Sequence, residues 1–150
     1  MRIKPTLLAV SASGLAAIAA YEGYSSTAYS PVPGDRPTIG FGATAGVKPG
    51  DKTTPVQAVQ RLARDAELTR AGIARCVSVP LSQNELDVYV SFAYNVGTSN
   101  FCRSTLMKKL NAGDYSGACA ELRRWIYFKG EKLPGLVSRR EDEYRRCMKP

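Results

Sequence analysis

Histidine is absent from the 150 residues of this sequence. Imidazole is the usual general base of nucleophilic triads and a common metal ligand, so histidine triads and histidine-based metal centres are excluded. Any catalysis must therefore depend on carboxylates, hydroxyls, lysine, arginine or cysteine. We expect no metal site and no cofactor.

Paired cysteine motifs are also missing. The four cysteines are widely spaced and form no CxxC pair, which excludes zinc ribbons and dithiol redox motifs. Two disulfides are the natural interpretation, and four buried free thiols in a reducing compartment are the alternative. Because Cys102 and Cys119 bracket a helical hairpin, we expect them to pair, which leaves Cys76 with Cys147. The other two connectivities stay open.

No uncharged run is long enough to cross a bilayer with ease. The basic start MRIK is followed by 17 residues without a charge, from position 5 to position 21. As a helix this run would span about 25 Å, short of the ~30 Å hydrocarbon core, and Ser11, Ser13 and Gly14 weaken it further. The N-terminal segment is therefore predicted to be a poor membrane anchor.

Two interpretations of residues 5–21 stay open. The run is either an uncleaved export signal that associates transiently with a membrane, or the first helix of the fold. As a helix it would have Ser11 as N-cap and a buried face of Leu15, Ile18 and Ala19. The tripeptide AIA resembles a signal-peptidase site, but cleavage there would leave Glu22 almost at a free end. Both roles are compatible if the segment first enters the bilayer, then leaves it and packs as that helix.

Basic residues outnumber acidic ones by 21 to 13, which gives a net charge of +8. Such a charge indicates an anionic partner, for example nucleic acid, an anionic glycan or an acidic membrane. The basic residues are scattered through several segments and alternate with acids, as in RREDEYRR, and no nucleic-acid motif accompanies them. We therefore expect no nucleic-acid partner.

At this length we expect one domain over residues 1–150, acting as a monomer.

The order of sequence patterns predicts an α+β fold. A turn-rich stretch leads into PTIGFGAT, which is typical of a short β-hairpin. Behind a Thr54 cap, one face of a long helix is predicted to carry Val56, Val59, Leu62, Ala66, Leu68 and Ile73. A further helix starts at Ser82, in capping-box register with Glu85, and ends at Gly97. The pattern predicts a small hairpin lobe, a larger helical lobe and a cleft between them.

Five blocks and the single tryptophan, Trp125, follow one another along nearly the whole chain. The blocks are EGYSSTAY, PTIGFGAT, SQNELDVYVSFAYNVG, CRSTLMKKLNAGDYSGAC and LPGLVSRREDEY. In this order they resemble the phage-type lysozymes of glycoside hydrolase family 24. The resemblance implies a lysozyme-like two-lobed fold and hydrolysis of the β-1,4 bond between N-acetylmuramic acid and N-acetylglucosamine in peptidoglycan. It also implies synthesis in a host cytoplasm, action in the periplasm or cell wall, and host lysis.

The catalytic residues are implied by the same resemblance. The glutamate and the threonine of the family's active site match Glu22 and Thr38. Where the family usually has its aspartate, this chain has Pro31, and the nearest carboxylate is Asp35. Either Asp35 takes over that role or the enzyme does without the aspartate.

Glycoside cleavage usually needs two carboxyl groups, an acid at the leaving oxygen and an anion that activates water. Glu22 ends an apolar helix, and apolar surroundings and the negative helix end both favour a protonated carboxyl group. Asp35 lies in a Gly/Pro turn open to water and would supply the anion, with Thr38 orienting the attacking water. This arrangement would invert the anomeric centre. A structural ion pair at Glu22 and a plain turn at Asp35 are the alternative.

Further site residues are also implied by the resemblance. One of Arg139 and Arg140 is expected to pair with the catalytic glutamate, and a solvated basic face is the alternative. Trp125 is expected in the core between helices rather than as a sugar platform. The substrate cleft is expected to include Tyr29, Asn95 and Gly97, and a plain helix C-cap is the alternative for Asn95 and Gly97.

Two other functions are compatible with parts of the sequence. A basic nucleic-acid-binding protein would use the charge alone, and a non-catalytic peptidoglycan-binding module would use the cleft without the acid. Neither function explains why Glu22 and Thr38 stand in their places. A muramidase is therefore the preferred interpretation.

Overall fold

The computed structural model describes all 150 residues. Helices dominate it, and two small antiparallel sheets of two strands each complete the fold. The helices are α1 (Ala12–Glu22), α2 (Pro55–Ala74), α3 (Gln83–Val96), α4 (Thr98–Arg103), α5 (Thr105–Asn111), α6 (Tyr115–Glu121) and α7 (Pro134–Cys147). The strands are β1 (Ser25–Tyr29), β2 (Thr38–Gly40), β3 (Tyr127–Phe128) and β4 (Glu131–Lys132), with single 3-10 turns at Pro5–Leu7 and Leu122–Arg124. The α+β class is confirmed.

Helix α1 starts where the sequence predicts. Ser11 is its N-cap and accepts a hydrogen bond from the Gly14 amide at 3.0 Å. The helix stops at Gly23, whose φ of 68° lies in the left-handed region that glycine adopts without strain. The predicted face of α1 packs against the core through Leu15, Ile18 and Ala19. No helix in the structure combines the length and apolar character that a membrane span needs.

Helix α2 has the predicted start but a different buried face. Thr54 forms a capping box with Gln57. The prediction for three apolar residues was wrong, because the side chains that lie 51–71% exposed are Val56, Val59 and Leu68. The buried row has spacings of four, four and seven residues, which keep one face of a helix, and consists of Ala58, Leu62, Ala66 and Ile73. Alanines in this row let α2 approach its neighbours closely, so the larger valines lie on the outer face.

Helix α3 is the central helix of the larger lobe. Ser82 and Glu85 form the predicted capping box, in which each side chain accepts a hydrogen bond from the other residue's amide. Every residue from Glu85 to Ala93 is buried. Helices α1, α2, α4 and α7 pack around this segment. The last turn of α3 emerges between the lobes, where Tyr94 and Asn95 face the cleft.

Strands β1 and β2 form the smaller lobe. They pair antiparallel, with Ser25 opposite Gly40, Tyr29 opposite Thr38, and an irregularity between the two pairs. The small core of this lobe is separate from the main helical core and consists of Ile39, Ala43 and Val47. Two cores with a cleft between them confirm the predicted lysozyme-like, two-lobed architecture.

The disulfide connectivity corrects the predicted pairing. The structure pairs Cys76 with Cys102 and Cys119 with Cys147, each pair with Cα atoms 5.8 Å apart. The first bridge joins the segment after α2 to α4, which packs on α2. The second joins α6 to the end of α7, which also contact each other. The prediction was wrong because it assumed that neighbours in sequence pair, whereas α4 packs toward α2 rather than toward α6.

A second hairpin, β3–β4, was not predicted. Its turn consists of Lys129 and Gly130, with φ values of 49° and 80°. Positive φ at both central residues is the geometry of a type I′ turn, which matches the twist of the flanking strands. Asn-Gly would signal this turn clearly in a sequence, and Lys-Gly signals it only weakly. The hairpin lies at the cleft, where it contributes Phe128 to the wall.

Candidate active site

A cleft of about 540 Å³ opens between the two lobes at the end of α1. Five of the residues predicted from the sequence line it: Glu22, Tyr29, Asp35, Thr38 and Asn95. They come from the end of α1, from β1, from the loop between β1 and β2, from the start of β2 and from the end of α3. Elements far apart in the chain therefore bring carboxyl, hydroxyl and amide groups to one cavity.

The two carboxyl oxygens of Glu22 have different surroundings. Oε1 accepts a hydrogen bond from Arg139 Nη1 at 2.8 Å. Oε2 faces Gly42, where a Cβ atom would come within 2.8 Å of it, and the φ of 82° at Gly42 also favours glycine. One oxygen is thus fixed by a cation, and the other lies against a glycine that leaves room for it.

A buried network holds Arg139 in place. Its Nε donates to Glu143 Oε1 at 3.0 Å, and its Nη2 donates to the Ser91 carbonyl at 3.0 Å. Glu143 is fully buried and also accepts from Arg140 Nη1 at 2.8 Å. Burial lowers the pKa of Arg139, but the charges of Glu22 and Glu143 outweigh this effect and raise its pKa above the ordinary value. The guanidinium that faces Glu22 is therefore fixed and always charged.

Arg140 does not pair with Glu22. Successive helical residues point about 100° apart, so only one of the two neighbouring arginines can face the glutamate. Arg140 turns toward the helical lobe, where its Nε donates to the Trp125 carbonyl at 3.0 Å and its Nη2 contacts Asn95 Oδ1. Trp125 packs edge-on against Phe92, with ring centroids 5.3 Å apart, and so lies against the core while partly buried, rather than inside it as predicted.

Asp35 lies in the loop between β1 and β2, close to the second hairpin. Its amide donates to the Val32 carbonyl at 3.0 Å, and its Oδ1 lies 3.6 Å from Lys129 Nζ. The side chains of this ion pair are 35% and 60% exposed, so the pair stabilises the fold by at most about 1 kcal/mol. Asp35 is therefore an accessible carboxylate on the cleft wall.

Thr38 is the first residue of β2 and is buried at the base of the cleft. Its hydroxyl lies 3.4 Å from the Arg36 carbonyl, which makes a long and weak hydrogen bond. The hydroxyl oxygen is therefore free to bind a water molecule.

Residues 19–143 match the phage lysozyme family. The chain belongs to this family. It is 41% identical over 138 residues to an endolysin of Acyrthosiphon pisum secondary endosymbiont phage 1, which covers 89% of this chain and 94% of the relative. It is 39% identical over 152 residues to the SAR-endolysin of Pseudomonas phage phiKMV, with 98% of this chain and 93% of the relative covered. The solved endolysin from Escherichia coli O157:H7 phage FAHEc1 is 35% identical, with a TM-score of 0.83 over 99% of this chain and 96% of that chain. The protein is accordingly a muramidase endolysin.

A second groove, of about 820 Å³, meets the cleft of the lysozyme at Glu22. Glu22 and Asn95 line both spaces, and the start of α7 forms the far wall of the second groove. The two spaces together form an open channel that passes the carboxyl group of Glu22. An open-ended channel suits a polymeric substrate.

One predicted cleft residue of the lysozyme lies elsewhere. Gly97 ends α3 with a φ of 93° and is absent from the lining of both grooves. Its role in the structure is that of a helix C-cap, which was the alternative interpretation of its sequence context. Asn95, two residues earlier, is the residue of this stretch that reaches the cleft.

Several cleft residues were missed by sequence reasoning. Gly42 has a recognisable signal, since it is the second glycine of PTIGFGAT, but its contact with Glu22 depends on how the lobes meet. Tyr94 donates its hydroxyl to the Phe41 carbonyl at 2.8 Å and so ties the turn before Gly42 to α3. Burial raises the pKa of Tyr94, which keeps this donor protonated.

Proposed function

We propose that this lysozyme hydrolyses the β-1,4 bond between N-acetylmuramic acid and N-acetylglucosamine in peptidoglycan, with Glu22 as general acid. The observation that carries the proposal is the asymmetry of the Glu22 carboxyl group. Oε1 is bonded to Arg139, so a proton is best carried by Oε2, which faces the glycine side of the cleft. That proton would pass to the glycosidic oxygen as the bond breaks.

Asp35 and Thr38 are proposed to handle the attacking water. The water would bind the Thr38 hydroxyl and give its proton to the Asp35 carboxylate as its oxygen attacks the anomeric carbon. Attack from the face opposite the leaving group inverts the anomeric centre. The weak intramolecular bond of the Thr38 hydroxyl and the exposure of Asp35 support this assignment.

The reaction is tested by measuring reducing ends released from purified Gram-negative peptidoglycan. We expect the lysozyme to release them and to clear chloroform-treated Gram-negative cells. Binding to peptidoglycan without any release would indicate a wall-binding module. Salt-dependent binding to DNA without clearing of the cells would indicate a nucleic-acid-binding protein that uses its net charge of +8.

We further propose that residues 5–21 tether the protein to the inner membrane before it acts in the periplasm and causes host lysis. Five relatives are named SAR-endolysins, a name that indicates a membrane-tethered stage before periplasmic action. Helix α1 carries no charge before Glu22, and its exposed side in the folded protein is still made of small or apolar residues: Ala12, Ser13, Ala16 and Ala20. A surface helix normally shows a charged outer face. The absence of charge there supports a segment that must also suit lipid.

Leucine at Ala16 and Ala20 is expected to hold the protein in the membrane fraction. Both positions are exposed in the folded protein, so the substitutions leave the packing unchanged. Leucine favours insertion by about 0.3–0.6 kcal/mol at the middle of a membrane segment, and we expect a smaller gain at Ala20, which lies near the end of residues 5–21. The matched control is leucine at Ala63 and Ala120, two exposed helical alanines outside the segment. If cell fractionation places all three proteins wholly in the cytosol, residues 5–21 serve only as part of the fold.

A further inference from the structure

Asp87 is a buried carboxylate that binds the start of a different helix. It lies in α3 and is 2% exposed. It accepts hydrogen bonds from the Ser11 amide at 3.0 Å, from the Ser11 hydroxyl at 2.5 Å and from Gln83 Nε2 at 3.0 Å. All three donors are neutral, so the carboxylate is balanced chiefly by the positive N-terminal end of α1.

The contact admits α1 in one position only. Ser11 is the N-cap of α1, and its hydroxyl accepts from the Gly14 amide while donating to Asp87. Gly14 packs directly on the carboxylate, because a Cβ atom there would lie 2.7 Å from Asp87 Cγ. The contact needs a hydroxyl that binds Asp87 and, three residues later, a glycine that leaves room for it. No other place on α1 has this pair at this spacing.

We propose that Ser11, Gly14 and Asp87 form a register lock that positions Glu22 at the other end of α1. A slip of one residue would move the helix by about 1.5 Å and turn it by about 100°, which would take the carboxyl group of Glu22 away from the cleft. Asp87 is thus a positioning residue, acting through α1. The inference rests on the proposed role of Glu22 as the acid.

The packing of α1 explains why a lock is needed. Among the residues of α1, only Gly14 and Ile18 are buried, and Leu15 and Ala19 pack on the core while partly exposed, so side-chain packing specifies its register weakly. At its far end the Tyr21 hydroxyl contacts Asp142 of α7, and burial together with this contact raises the pKa of Tyr21 to about 12. The tyrosine therefore remains a donor at neutral pH. Helix α1 is held at one end by α3 and at the other by α7.

The test compares Gly14→Ala and Ser11→Ala with a matched pair on α6. There Asp114 caps its own helix and accepts from the Gly117 amide at 2.9 Å, and a Cβ atom at Gly117 would overlap the carboxylate in the same way. Helix α6 contributes no residue to either groove. Gly117→Ala therefore crowds, and Asp114→Ala removes, the N-cap carboxylate of a helix without a catalytic residue.

We expect Gly14→Ala and Ser11→Ala to lower kcat at least tenfold per folded molecule while KM changes less than twofold, since most of the channel wall lies outside α1. Ser11→Thr keeps the hydroxyl and should restore kcat to within threefold of the wild type. Both α6 variants should lose thermal stability but keep kcat within twofold. The folded fraction is measured by near-ultraviolet circular dichroism.

The lock is refuted if Gly14→Ala and Ser11→Ala keep wild-type kcat per folded molecule, or if the α6 variants lose as much. Failure of Ser11→Thr to recover more activity than Ser11→Ala also counts against it. A wild-type protein that releases no reducing ends would instead overturn the proposed reaction. The two failures are therefore distinguishable.

Discussion

Replacing Glu22 with glutamine is expected to slow glycan cleavage by about 10²–10⁴-fold, because an amide cannot protonate the leaving oxygen. The amide oxygen can still accept the hydrogen bond from Arg139, and Arg139 keeps its bond to Glu143, a carboxylate that it shares with Arg140. The fold should therefore survive the change. The measurement is the rate of reducing-end release from purified peptidoglycan, normalised to folded protein.

The matched control for this variant is Glu67→Gln. Glu67 lies on the surface of α2 and pairs with Arg70 at 2.6 Å, so the same change there also removes a carboxylate from an ion pair with arginine. It should cleave at the wild-type rate. Wild-type lysis by Glu22→Gln would show that the acid is another residue.

Replacing Asp35 with asparagine is expected to cost about 10²-fold in activity, the scale of a positioned general base. Stability should change little, because the side chain is accessible and its ion pair with Lys129 is exposed. Activity per folded molecule and the thermal midpoint are measured together. If more than about half of the activity remains, Thr38 and backbone groups hold the water without a second carboxylate.

Lys129→Gln separates the charge of Asp35 from its contact with the hairpin. This variant removes the ion pair and leaves the carboxylate in place. We expect it to lose far less activity than Asp35→Asn. Equal losses of activity in the two variants would mean that activity depends on the contact between Asp35 and the hairpin, and not on Asp35 as a base.

Glu22 and Thr38 could be located in the sequence because the patterns around them are local. Glu22 stands at the end of an apolar helix with a Ser11 cap, and Thr38 opens a short strand after a turn. Caps, turns and strand starts depend on neighbours within a few residues. The resemblance to phage-type lysozymes then gave these positions their roles, and the α+β class followed from the order of the patterns.

Other features depend on contacts between distant segments and could not be predicted. The approach of Lys129 to Asp35, the lock of Asp87 on Ser11 and the choice of Arg139 over Arg140 all join elements far apart in the chain. The cysteine pairing failed for the same reason. On α2, apolar character was visible but the closeness of packing was not, so alanines proved to be inside and valines outside.

Product analysis in H₂¹⁸O tests whether water cleaves the glycan with Glu22 as the acid. Wild-type digestion of purified peptidoglycan is expected to place one ¹⁸O atom on each newly formed reducing-end N-acetylmuramic acid, and Glu22→Gln is expected to form almost none of this product. Products without the label, or labelled products formed at the wild-type rate by Glu22→Gln, would contradict hydrolysis by water with Glu22 as the acid.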